Sequence, residues 1–359
     1  MNNKKAEKKI LVFLGFLDQN YSRSAVLLNY PSSKYEKKFY KAPKNFISTI
    51  RVVANLRKIY KDRHLTFIVM SPCHKLTLPT RIVAKKRVIL DAGWPLSDGE
   101  LSRKFRWKSI YSIPKIIIMD FIAFHSANLV LLESEKQKQR VARMFKISSE
   151  KLEVSFTGFN ESSILRKKVD NGFSIKIRNQ IQSLGNLGVV IFRGKVNNES
   201  GYERIIQVAK ELDNRATFLL LVNRNQWSGL VPKNCIEINS FTDEQMFLCY
   251  EIANLALGQI SNHKRLDFTI PHKAFEAGFF GKTYVTCKNG GIQEYGNENQ
   301  ISYLDSIDPK KIALHILDLF SSMKIEAFGK NLNTNYLVKF SQSALNRNFE
   351  YSMTRHFPE

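Results

Sequence analysis

The stretch Ile270–Glu294, I-P-H-K-A-F-E-A-G-F-F-G-K-T-Y-V-T-C-K-N-G-G-I-Q-E, sets the reading of the whole chain. Pro271 opens a helix at its first turn, where a missing N–H leaves nothing unsatisfied. The free N–H groups and partial positive charge of that helix start suit a diphosphate. Lys273 adds a full charge in the same turn. Glu276, about one turn further on, can accept two hydrogen bonds from vicinal hydroxyls such as those of a ribose. Gly281 stops the helix, Thr283–Thr286 returns as a strand, and Asn289, Gly290 and Gly291 form a loop at the strand's C-terminal end. In doubly wound sheets, that edge is where ligands bind.

The same alternation continues on either side. Toward the N-terminus, Gly188–Phe192, Thr217–Val222 and Leu255–Leu257 read as strands, and Tyr202–Leu212 and Asp243–Glu251 as helices. Beyond the quoted stretch, Ile312–Ser321 and a segment near Tyr336–Tyr351 read as helices. Gly158–Gly172 is polar and reads as a linker. Before it, Lys9–Gly15, Thr66–Met70, Arg87–Leu90, Leu129–Leu132 and Leu152–Phe156 are apolar runs rich in β-branched residues. Helical periodicity fills Phe46–Tyr60 and Ser134–Phe145, and another helix starts at Ala25. Strands alternating with helices predict parallel sheets covered on both faces. The 359 residues exceed what one core usually organises. The fold class expected is therefore α/β, with two Rossmann-like domains facing a cleft. Residues 1–160 form the first domain, 161–186 a linker and helix, 187–335 the second domain, and 336–359 a helix crossing back to the first.

Charge divides unevenly between the halves. Lys and Arg total 55 against 32 acidic residues, a net charge of +23. Residues 1–160 carry +19 of it and residues 161–359 only +4. The first domain should therefore face something anionic. Its densest signal is Arg103, Lys104, Arg106 and Lys108, interleaved with Phe105, Trp107 and Tyr111. Such a run can reach lipid phosphates while its aromatics settle at the headgroup boundary. The same pattern could stack on single-stranded nucleic acid, but no helix-turn-helix, zinc-finger or RNP signature accompanies it. Cys73, Cys235, Cys249 and Cys287 make no C-x-x-C, so neither a zinc site nor a disulfide framework is expected. The apolar run after the basic start ends at Asp18 and reads as a core strand, not a signal peptide. Ile113–Leu132 is interrupted by Lys115, Asp120, His125 and Asn128, so no membrane-spanning helix is expected.

Pro271, Lys273, Glu276, Gly281, Lys282, Gly290, Gly291 and Glu294 resemble the donor-binding segment of the family 4 retaining glycosyltransferases, which have GT-B architecture. The strand V-V-I-F-R-G-K-V followed by S-G-Y-E-R-I-I resembles that family's strand, phosphate-binding Arg and Lys-Gly; Lys195 then stands at the Arg. N-L-V-L-L-E-S-E-K-Q-K and V-S-F-T-G-F-N resemble the end of the family's first domain, and the likeness runs from about residue 115 to about 305. Two departures stand out. The family's first glutamate, separated from the second by seven intervening residues, would fall at Phe268, with Asp267 one residue off. The family's Lys-Gly is Ser200-Gly201.

The resemblance implies a glycosyltransferase acting with retention and without metal or cofactor, the nucleotide-sugar being a co-substrate. Gly15, Arg193, Lys195, Pro271, Lys273, Glu276, Gly290 and Gly291 are the expected donor contacts. Asp98 and Asp267 are the candidates for a catalytic carboxylate. Arg103, Lys104, Phe105, Arg106, Trp107 and Lys108 are the expected membrane or acceptor contact. With family habit, the charge asymmetry predicts a lipid-linked saccharide acceptor in cell-surface polysaccharide assembly, at the inner face of a membrane. The alternatives are a weak or inactive partner subunit of the same fold and a basic nucleic-acid-binding protein.

Overall fold

The structure is a computed structural model that describes residues 9–17, 21–30, 35–61, 63–101, 109–164, 171–222 and 229–358. The run Arg103–Lys108, expected to contact a membrane, lies outside the described residues. The chain divides into two compact units. One comprises Met1–Thr157 with Leu345–Glu359, the other Gly158–Ala344.

In the first unit, β1 (Lys9–Gly15), β2 (Tyr35–Lys41), β3 (Leu65–Met70), β4 (Val88–Gly93), β5 (Leu129–Leu132) and β6 (Leu152–Val154) form a parallel sheet in the order β2-β1-β3-β4-β5-β6. The inner strands are buried on both faces because helices cover both sides, so their sequences run apolar without alternation. The edge strand β2, Y-E-K-K-F-Y-K, keeps three lysines in five positions, which discourages pairing with another chain. A buried Arg23 ties the sheet together, donating to Asp91 of β4 and to the Leu131 carbonyl of β5. The last helix, Gln342–His356, adds Phe349 and Met353 to this unit's core, where Phe357 follows them and Phe349 meets Tyr30 edge-on.

In the second unit, β7 (Gly188–Gly194), β8 (Ala216–Val222), β9 (Cys235–Ile238), β10 (Leu255–Leu257), β11 (Thr283–Cys287) and β12 (Ser302–Leu304) pair in parallel in the order β12-β11-β10-β7-β8-β9. This is the doubly wound order, and the winding reverses between β7 and β10. Two Rossmann-like α/β units, with the final helix joined to the first, agree with the expected fold class.

Three local expectations need correction. Tyr336–Tyr351 is not one helix. The helix Lys324–Lys339 ends at Phe340, and Ser341 Oγ accepts the Ala344 amide as the next helix begins. Asn289, Gly290 and Gly291 are not a loop either. The Asn289 side chain accepts the Ile292 amide at 3.2 Å and caps a helix, Gly290–Tyr295. Within the expected linker, Glu161–Ile164 forms a helical turn.

Candidate functional site

Helix His272–Phe279 starts where the sequence places it, with Pro271 as the residue just outside the first turn. Gly281 adopts φ +62, and the Gly281 and Lys282 amides bond back to Gly278 and Ala277. That closure ends the helix and turns the chain into β11. Lys273 is thereby held against the carboxyl end of β7, the strand that ends in Arg193 and Gly194.

A cavity of about 480 Å³ opens at this point of the sheet. Arg193, Gly194 and Lys195 line it from β7 and its following loop, Gln259 from the segment after β10, and His272 and Lys273 from the helix start. Asn239, Phe241 and Arg265 add to its wall. It lies at the winding reversal, where ligands of such sheets bind. Glu199 also lines it but is paired with Arg265 at 3.1 Å, so the balance of charge is positive. A larger opening of about 590 Å³ beside the edge strand β9 gathers no comparable set of cations; Lys176 and Lys233 share its lining with Glu237.

Lys273 is 6% exposed and its Nζ has no hydrogen-bond partner among the described residues. The ammonium sits 3.8 Å from the centre of the Phe192 ring. A Cβ at position 194 would approach Nζ to 3.0 Å, so glycine there leaves the charge its room. Burial pulls the Lys273 pKa down to about 7, with Glu276 partly opposing and Arg193 reinforcing.

Glu276 is fully buried and does not line the cavity. One carboxylate oxygen accepts from Arg193 and lies 2.8 Å from His272 Nδ1, and the other accepts from the Tyr250 hydroxyl at 2.7 Å. Burial works against its charge, but Arg193, His272 and Tyr250 outweigh it and hold the pKa at about 2. Where the sequence suggests a carboxylate offered to a ribose, the structure has both its oxygens engaged by Arg193, His272 and Tyr250. The Arg193 guanidinium also stands 5.7 Å from the Phe241 ring centre.

The remaining candidates are not among the residues that line this cavity. Asp267 is exposed and accepts the Gly290 amide at 3.3 Å. Gly291 packs so closely on the Thr269 carbonyl that a Cβ would come within 2.0 Å of it. Neither glycine lines the cavity. In the first unit, Gly15 ends β1 at φ +139, against Met70 at the end of β3. Asp98 is bound by Gln137 Nε2 at 2.9 Å and Arg140 Nη2 at 2.8 Å. Among the described residues, no three His, Cys, Asp or Glu side chains gather as a metal site.

Sequence reasoning missed Tyr250, Arg265, Gln259 and His272. The first three reach the site from separate elements, so no local spacing reveals them. His272 was readable, because it precedes Glu276 by four residues and therefore shares its helix face.

No family model matches the chain, and no curated protein sequence does. Solved structures share its fold. Anabaena HepE in complex with UDP superimposes with a TM-score of 0.70 at 13% identity, over 96% of this chain and 99% of that one. A glycosyltransferase from Rickettsia africae gives 0.65 at 11%, over 98% and 100%. The Neisseria meningitidis UDP-GlcNAc 2-epimerase bound to UDP-GlcNAc gives 0.51 at 12%, over 96% and 99%. A glycosyltransferase and an epimerase thus share the architecture. The likeness establishes the GT-B fold.

Proposed function

We propose that this protein is a glycosyltransferase whose second unit binds a nucleotide-sugar. One observation carries the reading: Arg193, Lys195 and Lys273 converge on a cavity at the β7/β10 winding reversal. Three cations and a helix start suit a diphosphate, and they would oppose the negative charge that grows on it as the glycosidic bond breaks. Lys273 is the strongest element, since a buried ammonium without a hydrogen-bonding partner is expensive unless an anion arrives. Glu276 acts through Arg193, fixing the guanidinium before the donor binds. UDP is the first nucleotide to test, because HepE was solved with UDP and with UDP-glucose. Charge neutralisation by side chains makes a metal unnecessary in this scheme. Transfer with retention and a lipid-linked saccharide acceptor complete the proposal; the basic first half supports such an acceptor.

The test is a thermal-shift panel of UDP-, GDP-, ADP- and CMP-sugars in excess EDTA, followed by product analysis. A specific donor at 100 times its Kd stabilises the folded state by about 2.7 kcal/mol. We expect one nucleotide class to raise Tm and its sugar to be transferred despite EDTA. No shift with any donor, or activity restored only by added magnesium or manganese, contradicts the proposal. Epimerised sugar-nucleotide formed without acceptor would assign the cavity to a different reaction.

Lys195 offers a sharper check. It is exposed on the cavity wall. Lys195→Ala should slow transfer about tenfold, less than the 10²–10³ lost with a buried donor, because water screens an exposed charge. UMP affinity should not change. Steady-state kinetics with unaltered rate would reduce Lys195 to a surface lysine.

A further inference from the structure

Helix Ser109–Ser126 of the first unit presents two contrasting sides. Ala123 and Phe124 enter the core beside Val141 and Phe145. Tyr111, Pro114, Lys115, Ile118, Phe121, Ile122 and His125 are all exposed. Their spacing of three, one, three, three, one and three residues keeps them on a single stripe. Tyr111 is 84% exposed and Ile118 58%, so the stripe is open apolar surface, not the rim of a core.

Its charges have one sign. Lys115 and His125 are the titratable groups on the stripe besides the Tyr111 phenol. The helix's acid, Asp120, is buried on another side, where its carboxylate accepts the Leu96 and Ser97 amides. Helix Glu135–Phe145 packs on the same core through Val141 and Phe145 and carries Arg143 and Met144 exposed, with Lys146 exposed just beyond its end. The half of the sequence that carries this helix is strongly basic, with 31 Lys and Arg against 12 acids in residues 1–160.

We propose that this face docks on an anionic membrane surface, with the helix lying in the plane of the interface. Ile118, Phe121 and Ile122 would enter the headgroup boundary, Tyr111 would sit at that level, and Lys115, Arg143 and Lys146 would meet lipid phosphates. A second copy of the chain fits less well, because it would set one cationic face against another. Spanning is not the mode: no helix of the described residues is long and apolar enough to cross a membrane. The inference rests on the first unit alone and does not need the donor site.

The experiment is co-sedimentation of the full chain with vesicles of phosphatidylcholine alone or mixed with phosphatidylglycerol, at low and high salt. Binding should require phosphatidylglycerol and weaken with salt. Ile118→Ser, Phe121→Ser and Ile122→Ser together should lower the bound-to-free ratio at least tenfold, and Lys115→Glu about threefold, with unchanged melting temperatures. A wild-type protein indifferent to phosphatidylglycerol overturns the proposal. So does a folded triple variant that binds like wild type, a dimer lost in the triple variant while vesicle binding persists, or preference for an oligonucleotide over vesicles at matched ionic strength. UDP affinity measured on the same samples separates the two proposals: loss of vesicle binding with UDP binding intact removes the docking face only.

Discussion

Glu276→Ala should cost the protein about 3 kcal/mol of stability, the lower end of what breaking a buried ion pair costs. The carboxylate is wholly enclosed and satisfies Arg193, His272 and Tyr250 together. Its removal strands a buried phenol hydroxyl and frees a guanidinium that is 31% exposed and can partly turn to water. Against a total stability of roughly 5–15 kcal/mol, that loss is large. Glu276→Gln should cost less, because an amide oxygen can still accept from Tyr250, yet it too should weaken UDP binding by loosening Arg193. The pH dependence has a definite sign. With a folded pKa of about 2 against an ordinary 4.5, Glu276 stabilises the protein above pH 4.5. That contribution fades as pH falls from 4.5 toward 2, since the unfolded chain takes up the proton first. Urea titrations at pH 7 and pH 4 check both points. An alanine variant with a wild-type midpoint, losing only donor affinity, would restore the simpler picture of a ribose ligand.

Donor affinity should fall as pH rises above about 7. Free Lys273 is close to half-protonated at that pH, because burial disfavours its charge. A diphosphate takes the charged form, so binding draws in a proton. Above pH 7 the dissociation constant of a UDP-sugar should then rise by up to about tenfold per pH unit, until the pKa in the complex is reached. Lys273→Met keeps the length and apolar contact with Phe192 but removes the charge. At pH 6 it should lose on the order of 10–100-fold in affinity, the loss of a charged hydrogen bond. Its binding should also lose the pH dependence. Calorimetry in buffers of different ionisation heat reads the proton directly. A dissociation constant constant from pH 6 to pH 9 would show that the ammonium stays charged without a ligand. The same pKa shift has a consequence without donor: between pH 7 and 10.5 the unfolded chain holds the proton the folded one has lost, so this residue favours folding increasingly as pH rises.

The architecture was readable because buried parallel strands announce themselves. β1, β7 and β8 are uninterrupted apolar runs, and each was located to within a residue or two. The edges were not. β2 mixes lysines and aromatics without alternation, β9 is only C-I-E-I, and β12 is three residues long, so none carries enough apolar pattern to distinguish it from loop. The same limit governs the site. Lys273, Arg193 and Lys195 are visible because a helix start and a strand end mark them. The partner of Glu276 is not, because periodicity places a side chain on a face but says nothing of what arrives opposite from eighty residues away.

The return of the chain to its first unit has a bearing on synthesis. Phe349, Met353 and Phe357 cover Leu28, Tyr30 and Tyr35, yet a ribosome must first make all of Gly158–Ala344. At roughly 5–20 residues per second this takes about 10–40 s. Throughout that interval the nascent first unit carries an uncovered apolar face. Surface of that kind is prone to aggregation while the second unit is still being translated, and a fragment cut at Thr157 would inherit it permanently.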